Sequence, residues 1–348
     1  MSDLKKMTLS QSARAEMVDA ASSLRGDVLA PGSYPNVVGL GVGVKWSKGQ
    51  PTGKPAVVVL VTHKLERANL TKADLVPSKV DDVQTDVLAI GYPFAGGGPV
   101  RHSVSAQLLA ERSRPVRGGY SVGHIDISAG TAGTCVYDIL PGGSSSPPQH
   151  GVGTPSSYYI LSNNHVLANS NNARAGDPIL QPGPFDGGQD PADRVATLSR
   201  YIPITFAPAT PLEEHGNLVD AALAEGDFGD LDRSIYWNTP VRGWRVRDEV
   251  EVGTLVQKTG RTTHFTTGRV TVVDATVDVN YDEGRVARFN DQIITTPMSM
   301  GGDSGSLVTT ADGVAVGLLF AGSPQSTILN QIEHVRSLLR VEVAEQML

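Results

Sequence analysis

Apolar residues follow two different rhythms along this chain of 348 residues. Over residues 8–25, Ala13, Met17, Ala21 and Leu24 fall on one stripe at helical spacing. Thr8 and Gln11 stand at capping-box separation and Gly26 offers a stop, so the pattern predicts one amphipathic helix. The rhythm then changes to alternation. In "NVVGLGVGVKW", Val38, Leu40, Val42, Val44 and Trp46 alternate with Gly39, Gly41 and Gly43, which predicts a strand with one face almost bare of side chains. A bare face admits another element at close range, and the first helix is the candidate. A nucleotide-binding loop is the rival, but it needs GxGxxG and the spacing here is GxGxG. "KPAVVVLVTHKL" predicts a second strand, joined to the first through a hairpin at "SKGQPTG", and "DVQTDVLAIG" a third.

This helix-and-sheet module is expected to close near "PFAGGGP" at 93–99, the start of a linker. From about residue 116 the pattern becomes short alternating strands and turns, with a helix predicted again only at 330–341. Stretches 141–156 and 182–193, rich in Gly and Pro, read as surface loops. The expected organisation is an α+β unit over 1–115 and a mainly β unit over 116–348.

Composition narrows the class. Aromatics make up only 5% of the chain against 38 Gly and 22 Pro, which favours many short strands joined by tight turns. A net charge of −7, with no Lys/Arg cluster, argues against a nucleic-acid partner, because phosphate binding needs a basic face. The opening "MSDLKKMTLS" lacks the apolar core of a signal peptide, and no apolar run has the length of a membrane span. Cys135 is the single cysteine, so no intramolecular disulfide can form, and its strand-like setting in "GTAGTCVYD" suits a buried apolar role. A cytoplasmic protein without membrane contact, cofactor or metal is expected, with a homo-oligomer open.

Three polar groups stand out against this background. "GGDSGSLV" at 301–308 contains Ser304, either a nucleophile or one more small residue in a glycine-rich turn. In "YYILSNNHVLA", His165 sits where an apolar strand meets a short polar corner, the placement a general base requires. His63 ends an apolar strand, His102, His150 and His215 lie in polar loops, and His334 is in the last helix. Asp220 in "GNLVDAALAEG" is flanked by apolar residues, a poor place for an unpaired charge unless a histidine or a cation satisfies it. Asp227 and Asp193 are rivals in polar surroundings.

"LSNNHV", "VDAAL" and "GDSGS", in that order, resemble the three signature segments of chymotrypsin-like serine peptidases. "VQKTGRTTHFTTGRV" at 256–270 resembles a strand pair of their bacterial members. The resemblance spans roughly residues 116–341. The preceding module, with "GVGVKW" and "TDVLAIG", resembles that of the plant narrow-leaf type of trypsin-like peptidase and its bacterial relatives. It implies a double six-stranded antiparallel β-barrel, barrel one over about 116–235 and barrel two over about 236–348, followed by a C-terminal helix.

For the site it implies Ser304 as nucleophile, His165 as base, Asp220 as its orienting carboxylate, and the N–H groups of Gly302 and Ser304 as the oxyanion hole. Gly301 and Gly302 would give that loop its unusual backbone. Asp303 would be a buried carboxylate neutralised by Lys258, with Arg261 in reserve. The segment Phe320–Gly322 matches the strand that binds substrate backbone, and a bulky Phe320 would narrow the cleft. Met298, six positions before Ser304, would floor the specificity pocket, with Gly322 on its opposite wall. Met298 can equally be core packing; as a pocket floor it suits small or medium apolar side chains before the cut bond. The expected function is a serine endopeptidase acting on proteins or peptides and controlled by its N-terminal unit. The alternatives are a silent binding protein on the same scaffold and an esterase, the latter lacking its GxSxG elbow.

Overall fold

The computed structural model describes residues 6–71, 74–80, 82–96 and 108–344. The fold is mainly β. Among the described residues, six antiparallel strands of the C-terminal half, Leu255–Gly260, His264–Asn280, Val286–Thr295, Leu307–Thr310, Val314–Gly322 and Thr327–Gln331, close into a ring. Closure comes from Leu255–Gly260, which pairs with Leu307–Thr310 on one side and with the start of His264–Asn280 on the other. Val314–Gly322 is buried on both faces until its last residue, which explains why it reads as a continuous apolar run rather than an alternation.

A second sheet gathers Ser121–His124, Thr134–Asp138, Tyr158–Ser162, Pro178–Leu180, Arg194–Tyr201 and Ala222–Gly226, and borrows the short strand Val341–Glu342 from the C-terminal end. That strand follows the last helix, Ile332–Leu339, whose start is preceded by strand where the sequence predicts helix from 330. The two sheets meet over one apolar cluster in which Val136, Leu161 and Leu223 touch the layer of Trp244, Leu318 and Val335.

The N-terminal elements attach to the C-terminal ring. Strand Val37–Ser47 pairs with Gln50–Val61 through a tight turn at Lys48 and Gly49, both at positive φ, and Gln50–Val61 pairs in parallel with Val83–Ala89. On its other edge, Val37–Ser47 pairs with residues 272–277 of the long strand His264–Asn280. Sheet and core therefore run without a break from residue 37 into the ring, across the boundary expected at 115. Leu24, Val42 and Val59 share one cluster with Val270, Ile293 and Leu329. Arg14 adds a two-pronged ion pair to Asp274 at 2.7 and 2.8 Å, both side chains nearly buried.

Two local expectations change. The first helix is Gln11–Val28, three residues later than its pattern predicts, because Ser10 rather than Thr8 accepts the capping hydrogen bond from the Ala13 N–H, and Gly26 lies inside it. The bare glycine face does not receive that helix, which packs on the Leu40, Val42 and Val44 side. It receives the strand His264–Asn280: a Cβ at Gly39 would lie 2.3 Å from the Thr276 carbonyl oxygen, and one at Gly41 2.9 Å from Ala275 Cα. Nor is residue 93 the start of a free linker. Pro93, Phe94 and Ala95 are hydrogen-bonded to Asn280 and Gly322, while 97–99 lie outside the described residues, as does His102.

Candidate active site

Strand Tyr158–Ser162 ends at Asn163, which starts a one-turn helix, Asn164–Leu167. The two asparagines of the polar corner are fully buried and hold it in place. Asn163 Nδ2 donates to the Asp220 carbonyl at 2.7 Å, and Asn164 Nδ2 donates to the Ile202 carbonyl and to Asn171 at 2.8 Å. This fixes His165 opposite Asp220. The imidazole Nδ1 donates to Asp220 Oδ2 at 2.6 Å, and the His165 backbone N–H donates to Oδ1 at 3.1 Å. Asp220 is wholly buried just before strand Ala222–Gly226, and its own N–H donates to Asn330 Oδ1. The rival carboxylates lie elsewhere, Asp193 beside Arg112 and Asp227 exposed at the head of a short turn.

The loop carrying Ser304 is held against this corner by Thr131. The Thr131 N–H donates to the Ser304 carbonyl, its hydroxyl donates to the Gly302 carbonyl, and its own carbonyl accepts from Ser162 Oγ, all within 2.7–2.8 Å. At neighbouring Gly130 a Cβ would lie 2.4 Å from Val166 and 3.0 Å from the Ser304 carbonyl, so the Ser304 loop and the residue after His165 meet with no room to spare. Gly302 and Gly305 carry φ of +95° and +96°, values that glycine adopts without steric cost; Gly301, expected to share that role with Gly302, is not at positive φ. Among the described residues, the N–H groups of Gly302 and Ser304 donate to no protein acceptor. Ser304 Oγ donates at 3.4 Å to the Phe320 carbonyl.

Asp303 is also wholly buried. Its Oδ1 accepts from the Thr262 and Thr263 N–H groups, and its Oδ2 from Thr263 Oγ1, the Met300 N–H and Lys258 Nζ at 3.1 Å. Lys258 is its cation. Burial pushes the Lys258 ammonium below its ordinary range, and Asp303 opposes that shift. Arg261 has a different partner, Asp186, at 2.8 Å through Nε.

Beside Ser304 opens a cavity of about 460 Å³ whose walls include Met300, Pro297, Leu319, Gly322 and Phe94. The expected floor residue, Met298, is not among them; it is 4% exposed and packs into the core next to Gly268. The strand ends at Thr295 and residues 296–300 are irregular, so Met298 and Met300, two apart, are free of strand alternation: Met298 turns inward while Met300 faces the cavity. Phe320 does not narrow the cleft, since its fully buried ring lies 4.7 Å from that of Phe289.

Three participants escaped the sequence reading. Phe94 pairs with Gly322 through two hydrogen bonds of 3.1 Å, N–H to carbonyl in each direction. Tyr281 donates from its hydroxyl to Asp220 Oδ2 at 2.8 Å. Thr131 clamps the loop. None lies within thirty residues of its partner, so no local pattern announces them.

No family model matches the chain. Over 98 residues it is 35% identical to Serine protease 1 of Rarobacter faecitabidus, a stretch that takes in 26% of this chain and 17% of that protein, about a sixth of the relative's length. Among solved structures it is similar to Thermobifida fusca Protease A, with 17% identity and a TM-score of 0.43 over 66% of this chain and 99% of that one. Similar too are Cellulomonas bogoriensis chymotrypsin, at 19% and 0.42 over 66% and 99%, and Nocardiopsis protease, at 17% and 0.43 over 65% and 97%.

Proposed function

We propose that the chain is a serine endopeptidase in which His165, Asp220 and Ser304 act as one unit. The observation that carries this reading is the buried 2.6 Å contact of His165 Nδ1 with Asp220, beside a serine loop that presents two N–H groups without a protein acceptor. Rotation of Ser304 about χ1 frees Oγ from the Phe320 carbonyl and turns it toward His165. Oγ then attacks a peptide carbonyl carbon while the imidazole takes the hydroxyl proton. The Gly302 and Ser304 N–H groups donate hydrogen bonds to the carbonyl oxygen as negative charge develops on it. Collapse breaks the C–N bond, the imidazole gives its proton to the leaving amine, and water repeats the sequence on the acyl-enzyme. The cavity walls Met300, Pro297 and Leu319 carry no charge, so a Lys or Arg side chain entering them would be desolvated without a partner. Small or medium apolar side chains suit it.

The N-terminal unit enters this reading through Phe94. A peptide in an extended cleft gains affinity by adding to an open strand edge, and the edge beside Ser304 is Phe320–Gly322. Phe94 already takes both main-chain groups of Gly322, so residues 93–95 act as an internal strand that a substrate must displace. The same pairing is what favours a second reading, a silent binding protein whose edge is permanently covered. A fluorophosphonate probe separates the two, since it reacts with an activated serine and needs no strand edge. Labelling of the wild type but not of Ser304→Ala, with digestion of an unstructured protein, supports the peptidase; absence of labelling sinks it.

A further inference from the structure

The ring of Tyr281 is buried at the end of strand His264–Asn280, edge-on to Phe206 with centroids 5.0 Å apart and stacked on Phe289 at 6.3 Å. A phenylalanine would make both contacts equally well. What a tyrosine adds is one hydroxyl, and it points to Asp220 Oδ2 at 2.8 Å, the same oxygen that receives His165 Nδ1. The ring also stands edge-on to the His165 imidazole, centroids 6.1 Å apart. Asp220 thus has three donors in a water-poor setting: the His165 N–H on Oδ1, and the imidazole and the phenol together on Oδ2.

Two donors on one carboxylate oxygen compete for its charge. The more density the phenol draws, the less is left to stabilise a proton on His165. We propose that Tyr281 is a positioning residue for the Asp220–His165 pair: its hydroxyl fixes the carboxylate and sets how strongly Asp220 polarises the imidazole. This rests on the peptidase reading above for its catalytic consequence, though not for the coupling itself. Burial pushes the Tyr281 phenol well above its ordinary range, and the adjacent Asp220 charge adds to that, so the hydroxyl stays a donor wherever the enzyme works. The other charged group that bears on Tyr281 is Arg285, from the turn that follows it; Arg285 acts in the opposite sense, lies over the Phe206 ring and donates to the Ser170 carbonyl. Neither of those contacts involves the Tyr281 hydroxyl.

The test is Tyr281→Phe, read in two ways. Peptide hydrolysis should lose about tenfold to a hundredfold in kcat, the rate equivalent of one hydrogen bond to a charged group, with KM nearly unchanged. With the phenol gone, Asp220 stabilises the imidazolium more strongly, so the acid limb of kcat/KM moves to higher pH. Independently of activity, NMR titration of the His165 ring in the Ser304→Ala chain should show the proton taken up at higher pH when Tyr281→Phe is added. Tyr281→3-fluorotyrosine keeps the shape and strengthens donation, and should move both readings the opposite way; it also covers a phenylalanine variant that fails to fold. If both tyrosine variants titrate like the wild type, the proposal is overturned, whatever happens to stability. A shifted titration in a chain that neither labels with fluorophosphonate nor cuts peptides would leave the coupling standing and remove the peptidase reading instead.

Discussion

Asp220 and Asp303 are both fully buried and belong to the same site, yet their charges are met in opposite ways. Asp303 faces an ammonium, Lys258, and four further donors from the loops around it. Its charge is cancelled where it stands, and its position locks the loop that carries Gly302 and Ser304. Asp220 faces an imidazole and a phenol, neither of them a permanent cation. Its charge is left available to stabilise a proton arriving on His165. A buried carboxylate with a fixed cation is a structural brace; one met only by neutral donors is poised to respond to a change of charge next to it.

The sharpest way to break this comparison is to neutralise each acid in turn. Asp220→Asn keeps the packing but leaves the imidazole in the wrong tautomer, and should lower kcat by about ten-thousandfold while costing little stability. Proteolysis assays beside thermal unfolding of the same sample check both halves, and a variant that still cuts at the wild-type rate would remove Asp220 from the mechanism. For Asp303 the informative change is to its partner. Lys258→Met leaves a buried charge uncompensated and should cost about 3–5 kcal/mol of stability, measured by denaturant unfolding, with activity falling only as the serine loop loosens.

A smaller effect is expected at the strand edge. Truncating the N-terminal unit is the wrong tool, because its helix and strands share a core with the C-terminal ring and their removal would uncover Val270, Ile293 and Leu329. Phe94→Pro is milder: it removes the N–H that Gly322 accepts and the ring that lines the cavity. Hydrolysis of peptides should rise about tenfold, the population shift that one lost hydrogen bond allows, with fluorophosphonate labelling unchanged. Equal peptide turnover in variant and wild type would mean the edge is not a brake.

The least change is expected at Cys135, away from both acids. Burial pushes its thiol up to about 11, so almost no thiolate exists at about pH 8 and iodoacetamide should label the chain only once it is unfolded. The raised value contributes stability that is present below the thiol's unfolded pKa and is lost as pH rises toward about 11.

Local order in the sequence determined a good deal. Helical spacing announced the first helix to within a turn, alternation announced Val37–Ser47 and Gln50–Val61, and apolar flanks singled out His165 and Asp220, because each of these signals is carried by neighbours along the chain. Choices of partner were a different matter. Whether Lys258 or Arg261 meets Asp303, whether Met298 or Met300 faces the cavity, which element fills the bare glycine face, and which hydroxyl reaches Asp220 were settled only when distant segments packed together. Sequence pattern fixes which side of a strand is apolar, but it holds no record of what lies across the gap. The continuous sheet from residue 37 into the C-terminal ring is the largest case. A glycine face says only that something comes close; that it is the strand His264–Asn280, making one body of what reads as two, is a fact of tertiary packing.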